Sequence, residues 1–323
     1  MDKMSIDGVE MMSIDTPYMP ARRLGDASVQ ISPHRGLVHT DQPMDLYSLE
    51  FLKDLGKGGY GKVSLASDPV SEGLLAIKIM DKKSCEHIIS TEVEVLRLAA
   101  GCPYLMSMRA FMETPTEYAI AMDYMAGGDL FHHMKDSMMF NTKTTRLFAA
   151  EMVCGLQYLH EHGVIHSDLK PDNILLQDTG HIKISDFGLS VMNVSEGAIV
   201  RWNAGTKGYV APEIMNEEGY NHLADSFSFG VILYMMSVGD WPFYSKGSLD
   251  EYHQSLREHI PYFPPGICTN TIDIIKGLLC KTPSARFAIT TSIRSHPFFH
   301  SIDWSDVECG RSDPPFPYYY QDY

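Results

Sequence analysis

Apolar and polar positions change period part-way along the chain. In the first part, Leu74-Leu-Ala-Ile-Lys-Ile-Met80 reads as a strand and Tyr118-Ala-Ile-Ala-Met122 as another. Between them, Glu86 to Ala100 reads as a helix. Strand alternation puts Ala76, Lys78 and Met80 on one face of the first run. After Gly127-Gly128 the period lengthens: Phe148, Met152, Leu156 and Leu159 recur at helical spacing, and the run stops at Gly163. Ile174-Leu-Leu176, a Gln177-Asp-Thr-Gly180 turn, and Ile182 and Ile184 alternating with Lys183 and Ser185 predict a hairpin. Residues 1–44 carry Pro, Gly, Ser and Met without either period and read as a flexible arm. Strands first and helices after, joined near Met125-Ala-Gly-Gly128, predict an α+β protein with two lobes and a hinge.

Composition narrows the class. The chain has 323 residues, 44% hydrophobic and 21% charged, enough for a large core. A formal charge of −15 argues against nucleic-acid binding and favours cationic partners or peptides. Six scattered cysteines form neither a CxxC pair nor a zinc spacing, so reduced thiols and a cytoplasmic or nuclear location are expected. The N-terminus lacks the apolar core of a signal peptide. The most apolar run, Phe229 to Val238, is too short to span a bilayer and reads as a buried helix, so no membrane partner is expected.

Three groups carry candidate chemistry. If residues 174–184 form a hairpin, Asn173 at its entry and Asp186 past its exit are neighbours. Their oxygens suit Mg²⁺ with bound phosphate, or they serve as two polar caps. Leu55-Gly-Lys-Gly-Gly-Tyr-Gly-Lys-Val63 spaces glycines at 56, 58 and 61 before a strand rather than a helix. That favours a flap between two strands over a dinucleotide turn. Lys78 is either exposed on an edge strand or buried with a partner acid. Glu92 shares a helix face with Leu96 and should point inward, and small Ala76 leaves a flat slot for a planar base.

In this order the pieces resemble eukaryotic protein kinases: the glycine loop, Ala-Ile-Lys, His166-x-Asp168-x-Lys170-x-x-Asn173, Asp186-Phe187-Gly188 and Ala211-Pro212-Glu213. The resemblance runs from Leu46 to the end and implies a bilobal protein-kinase-like fold. It divides the chain into an N-lobe at 45–124, a C-lobe at 125–300 and a tail at 301–323. Arg294-Ser-His-Pro-Phe-Phe, Ile302-Asp-Trp304 and Pro314-Pro-Phe-Pro317 are similar to the AGC group, without the terminal aromatic motif many members carry. The family's roles imply that Gly56, Gly58 and Gly61 cover the phosphates of ATP and that Lys78, paired with Glu92, holds the α/β-phosphates. Asn173 and Asp186 hold Mg²⁺, and Asp168 orients the substrate hydroxyl and accepts its proton. Lys170 neutralises the transferred phosphoryl group, in the pattern of serine/threonine kinases, and Thr206 bonds to Asp168 and Lys170. Leu55, Val63, Ala76, Met122 and Leu175 line the adenine slot, Met122 as gatekeeper, and Arg286 partners Glu213.

Two positions depart from the family. Ser167 stands where most members have the arginine that clamps an activation-loop phosphate, and Trp202 stands where AGC members carry the phosphothreonine. Burial of the Trp202 indole is expected to order the loop instead, at about 2–3 kcal/mol, giving activity without loop phosphorylation. Asp129 and Asp172 stand where relatives read a basic residue upstream of the acceptor, while another family acid becomes Met235. Protein substrates with a basic residue at minus three, and only a weak basic preference at minus two, are expected; Asp129 alternatively caps the following helix. Two rival readings are a pseudokinase scaffold and a small-molecule kinase. The catalytic set at 78, 92, 168, 173 and 186 weighs against the first, and Ala-Pro-Glu at 211–213 against the second.

Overall fold

The computed structural model describes residues 38–40, 48–58, 61–69, 73–137, 139–195, 197–202, 204–243 and 249–314. Among these, two compact units separate. One holds the residues up to 101 together with 106–125; the other holds 102–105 and those from 126 onward. The last crossing lies between Met125 and Ala126.

The first unit is built on an antiparallel sheet of β1 (Val38–Thr40), β2 (Glu50–Gly58), β3 (Gly61–Asp68), β4 (Gly73–Asp81), β5 (Met108–Glu113) and β6 (Glu117–Asp123). The strand order is β1-β5-β6-β4-β3-β2. β1 lies within the stretch expected to be a flexible arm and pairs with β5 (Val38 opposite Met112); the rest of that stretch lies outside the described residues. Alternation on β4 sorts its side chains: Leu75, Ile77 and Ile79 are buried with Ala66, Ala110, Met112, Ala119 and Ala121, leaving Ala76 and Lys78 half-buried on the other face. α1 (Lys82–Cys85) follows β4, capped by Asp81, whose carboxylate accepts from the Lys83 N–H at 2.7 Å. The helix expected over 86–100 is shorter: α2 (Ile89–Leu98) begins after a turn and tightens into a 3₁₀ turn at Ala99–Gly101.

The second unit is largely helical, with α3 (Leu130–Ser137), α4 (Thr142–Glu161), α5 (Pro212–Met215), α6 (Leu223–Val238), α7 (Leu249–Glu258), α8 (Thr269–Leu278) and α9 (Trp304–Glu308). The expected hairpin is present as β7 (Ile174–Leu176) and β8 (Ile182–Ile184). α6 is buried on nearly every side, from Ala224 to Met236, as expected of a helix apolar all round at the centre of a large core.

Residues 102–105 join this unit although the sequence places them in the N-lobe. The Ile184 N–H donates to the Tyr104 carbonyl at 2.8 Å, Lys183 Nζ donates to the Leu105 carbonyl at 3.0 Å, and the buried Tyr104 hydroxyl donates to the Val307 carbonyl at 2.5 Å. α9 is thereby tied to the hairpin. The residues behind the AGC likeness pack on one another: Trp304 Nε1 donates to the Arg294 carbonyl at 3.2 Å, and the Arg294 guanidinium lies 4.9 Å from the Trp304 ring centre.

Candidate active site

The stretch from His166 to Asn173 is held by the start of α6. Asp225, fully buried, accepts from the His166 N–H at 2.9 Å and the Ser167 N–H at 3.0 Å, and lies 2.8 Å from His160 Nε2. Burial opposes its charge, but the hydrogen bond and field of His160, the field of His166 and the His166 backbone hold its carboxyl below the usual range. His166 Nδ1 accepts the Asp168 N–H at 3.2 Å, so Nε2 is the atom that donates to the Ser185 carbonyl, 3.1 Å away.

Asp168 is buried and its carboxylate is the hub of the site. Oδ2 takes Lys170 Nζ at 2.7 Å, and Oδ1 takes the Thr206 hydroxyl at 2.6 Å. Lys170 Nζ also donates to Thr206 Oγ1 at 2.8 Å, closing a triangle of acid, cation and hydroxyl. Asn173 Nδ2 donates to the Asp168 carbonyl at 2.9 Å, which leaves the amide oxygen as the atom for a cation. Asp186 is exposed just past β8, with a left-handed φ of 62°. Phe187 behind it is buried and stands edge-on to the His166 ring at 5.5 Å. An amide oxygen and an exposed carboxylate at the two ends of one hairpin fit a hard divalent cation.

In the first unit, Lys78 Nζ donates to Glu92 Oε1 at 2.5 Å, with the Glu92 side chain 2% exposed. Of the two Lys78 readings, the partnered one is therefore correct. Across the sheet Lys78 opposes Val63, and Ala76 opposes Met122, so these four residues sit on neighbouring strands. Gly56 and Gly58 are open: an added Cβ would meet nothing within 4 Å. Gly61 differs, because its Cβ would fall 2.2 Å from the Ile79 carbonyl oxygen and 2.7 Å from Met80 Cγ. The third glycine packs the sheet, and the first two leave backbone bare toward solvent. Leu55 is 38% exposed on the edge strand. Leu175, on β7, belongs to the second unit and bridges to Asp129.

The chain matches the protein kinase domain over residues 49–299. It belongs to the protein kinase family. It is 38% identical over 276 residues to mouse protein kinase C delta type, covering 84% of this chain and 41% of that protein. Against the Drosophila RAC serine/threonine-protein kinase it is 36% identical over 281 residues, 84% of this chain and 46% of the relative. Fission yeast serine/threonine-protein kinase sck2 is 36% identical over 277 residues, 82% and 43% of the two chains. These relatives are of the AGC group that the tail resembles. The chain spans less than half the length of each of them. ATP and a divalent metal go with this family.

In this kinase domain the described residues between Gly188 and Gly205 are held otherwise than the sequence suggests. Trp202 is 50% exposed, so its indole is not the packing element. A single aromatic in an irregular stretch has no neighbouring period to direct it inward. The segment is instead tied through Tyr220. Val200 and Tyr220 exchange both backbone hydrogen bonds, at 2.8 and 2.9 Å. The Tyr220 hydroxyl reaches Ser167 Oγ at 3.2 Å, both residues being buried. Ser167 has a φ of 67°, which aims its short side chain at that hydroxyl. Burial, more than the neighbouring Asp225 charge, pushes the Tyr220 phenol up to about 12, so it stays a neutral hydrogen-bonding group.

The kinase's acids and its Ala-Pro-Glu element are also placed. Glu213 on α5 receives Arg286 Nη1 at 2.6 Å and Nη2 at 2.9 Å, as expected from the resemblance. Asp129 caps α3, its Oδ1 accepting the His132 N–H at 2.7 Å. Asp172 Oδ2 is buried without a hydrogen-bond partner, as is the Tyr209 hydroxyl. Burial raises the Asp172 carboxyl, Asp129 and Asp168 add to this, and its own backbone and Lys170 oppose it. All six cysteines are free, and among the described residues no helix is long and apolar enough to cross a membrane.

Proposed function

We propose that this chain is an ATP-dependent serine/threonine protein kinase that uses Mg²⁺ and is active without phosphorylation of its activation segment. The observation that carries the reading is the Asp168, Lys170 and Thr206 triangle with Asn173 turned onto it. When bound, magnesium nucleotide would supply the phosphoryl group and a cation that offsets the charge on its phosphates. Asp168 orients an incoming Ser or Thr hydroxyl and takes its proton, and Lys170 offsets charge on the transferred group. Asn173 and Asp186 would hold the metal. Lys78, kept in place by Glu92, holds the α/β-phosphates, and the bare backbone at Gly56 and Gly58 covers them, beside Gly61. Leu55, Val63, Ala76 and Met122 of the first unit would take the adenine. The free thiols agree with a cytoplasmic or nuclear location.

Independence from loop phosphorylation is supported by the hydroxyl pair Ser167–Tyr220 and the Val200–Tyr220 ladder, which tie the segment to the catalytic stretch without a phosphate. A substrate with basic residues upstream of the acceptor is supported by Asp172, whose unpartnered buried oxygen would gain a guanidinium partner. Asp129 keeps only part of its capacity for that task, since one oxygen caps α3.

The test is phosphate transfer from magnesium ATP to a basic serine peptide, with sugars and amines alongside. Transfer to the peptide alone is expected, and Asp168→Asn should lower turnover about a hundredfold or more. A wild type no faster than that variant would establish a scaffold instead. Phosphatase treatment should leave activity intact. A large loss traced to a site between Gly188 and Gly205 would refute the phosphate-free part.

A further inference from the structure

Among the described residues Lys207 has no ion-pair partner, and it stands next in sequence to Thr206 of the catalytic triangle. Its neighbour Thr206 is hydrogen-bonded to both Asp168 and Lys170. Its other neighbour, Gly208, is fixed from the opposite side: the N–H donates to the Tyr252 hydroxyl at 3.1 Å, and φ is +101°. A Cβ at 208 would fall 2.7 Å from Trp241 Cζ3, and Trp241 lies 5.1 Å from the Tyr209 ring. The backbone that presents Lys207 is therefore clamped on both flanks. The side chain is half-buried, with Nζ 5.3 Å from the centre of the Tyr252 ring. Burial raises the Tyr252 phenol, so that ring faces the ammonium as a neutral π-surface rather than as a counter-charge.

A half-buried cation on a clamped backbone, facing a neutral ring and no anion, is a recognition element for one. It is also a local feature, because the chain as a whole carries −15 and repels acidic peptides in general. A substrate extended past Asp168 advances about 3.3 Å per residue, close to the 3.8 Å step from Thr206 to Lys207. Since Thr206 is bonded to Asp168, Lys207 is the next residue along from the group that would orient the acceptor, and its side chain is placed beside the flanking position. We propose that Lys207 is a specificity-determining residue that selects an acidic side chain, carboxylate or phosphorylated hydroxyl, directly flanking the acceptor. This deepens the protein-kinase reading and rests on it.

The experiment measures binding of fluorescent basic peptides by anisotropy, with the acceptor replaced by alanine so that no turnover is needed. The flanking residue on either side of the acceptor is Glu, Gln, phosphoserine or Leu. Glu should bind about tenfold tighter than Gln on one side, the size of a charge-assisted contact in a partly dry setting. That ratio should fall toward one in Lys207→Met, survive in Lys207→Arg, and shrink with added salt. Serine-containing versions are assayed for phosphate transfer in parallel. Equal binding of Glu and Gln peptides by the wild type overturns the inference, as does a ratio that Lys207→Met leaves intact. A Lys207-dependent ratio without phosphate transfer upholds the inference and instead removes the kinase reading. Comparison of the Glu and phosphoserine peptides distinguishes the two sources of the anion.

Discussion

Replacing Arg286 by methionine should be among the most damaging single changes to the second unit. The guanidinium gives two near-parallel hydrogen bonds to Glu213, at 2.6 and 2.9 Å, with side-chain exposures of 0% and 3%. It also donates to the carbonyls of Cys280 at 2.8 Å and Leu223 at 2.9 Å. Methionine fills much of the volume but leaves a buried carboxylate and two carbonyls without their donors. Breaking a buried pair from one side costs about 3–5 kcal/mol, mostly through the charge left behind. For a unit of this size each kcal/mol moves the midpoint by about 2–4 °C, so thermal unfolding should drop by about 6–20 °C. Differential scanning calorimetry and urea titration are the assays. Arg286→Lys keeps the charge but not the fork and should fall in between. Glu213→Gln combined with Arg286→Met removes the stranded charge and should recover part of the loss, giving a measurable coupling energy. A drop under about 2 °C for Arg286→Met, or a double variant worse by the full sum of the singles, would refute the reasoning.

Two other outcomes follow from the geometry. Gly61→Ala should destabilise the first unit by about 1–3 kcal/mol in urea titration, since its Cβ would overlap the Ile79 carbonyl, while Gly56→Ala should leave stability within about 1 kcal/mol and act on nucleotide affinity alone. Asp172→Asn should raise the melting temperature at neutral pH, because the raised carboxyl means the fold prefers its protonated form; the difference from wild type should shrink as pH falls through the folded-state value toward the ordinary aspartate range, and binding of arginine-containing peptides should weaken.

Spacing carried much of the site. Lys78 and Glu92 were readable because strand and helix periods each fix a facing direction, and their pairing at 2.5 Å follows from both. Asp168, Lys170 and Asn173 lie within six residues on one loop, so local geometry settles most of their contacts. What was not readable lacked a period or a short span. Cys102 to Leu105 has no alternation to assign it, yet Tyr104 reaches across to Val307. Ser167 and Tyr220 are 53 positions apart with no motif linking them, so the absence of an arginine was visible but its replacement was not. Trp202 departs from expectation for the same reason: an indole's size suggests burial, but its placement depends on where the neighbouring backbone turns. Asp129 was open between substrate binding and capping, and the cap is present.

The hydroxyl contact at Ser167 has a consequence for how this chain's descendants can change. A guanidinium side chain introduced at 167 would start from a buried, left-handed backbone position already occupied on its far side by the Tyr220 phenol. Displacing that phenol would pull on the strand pairing with Val200, so the first step toward covalent control would loosen the segment it is meant to tighten. Acquiring such control therefore requires positions 167 and 220 to alter together with the residue that would carry the phosphate, so the buried hydroxyl pair constrains the order in which the three can change.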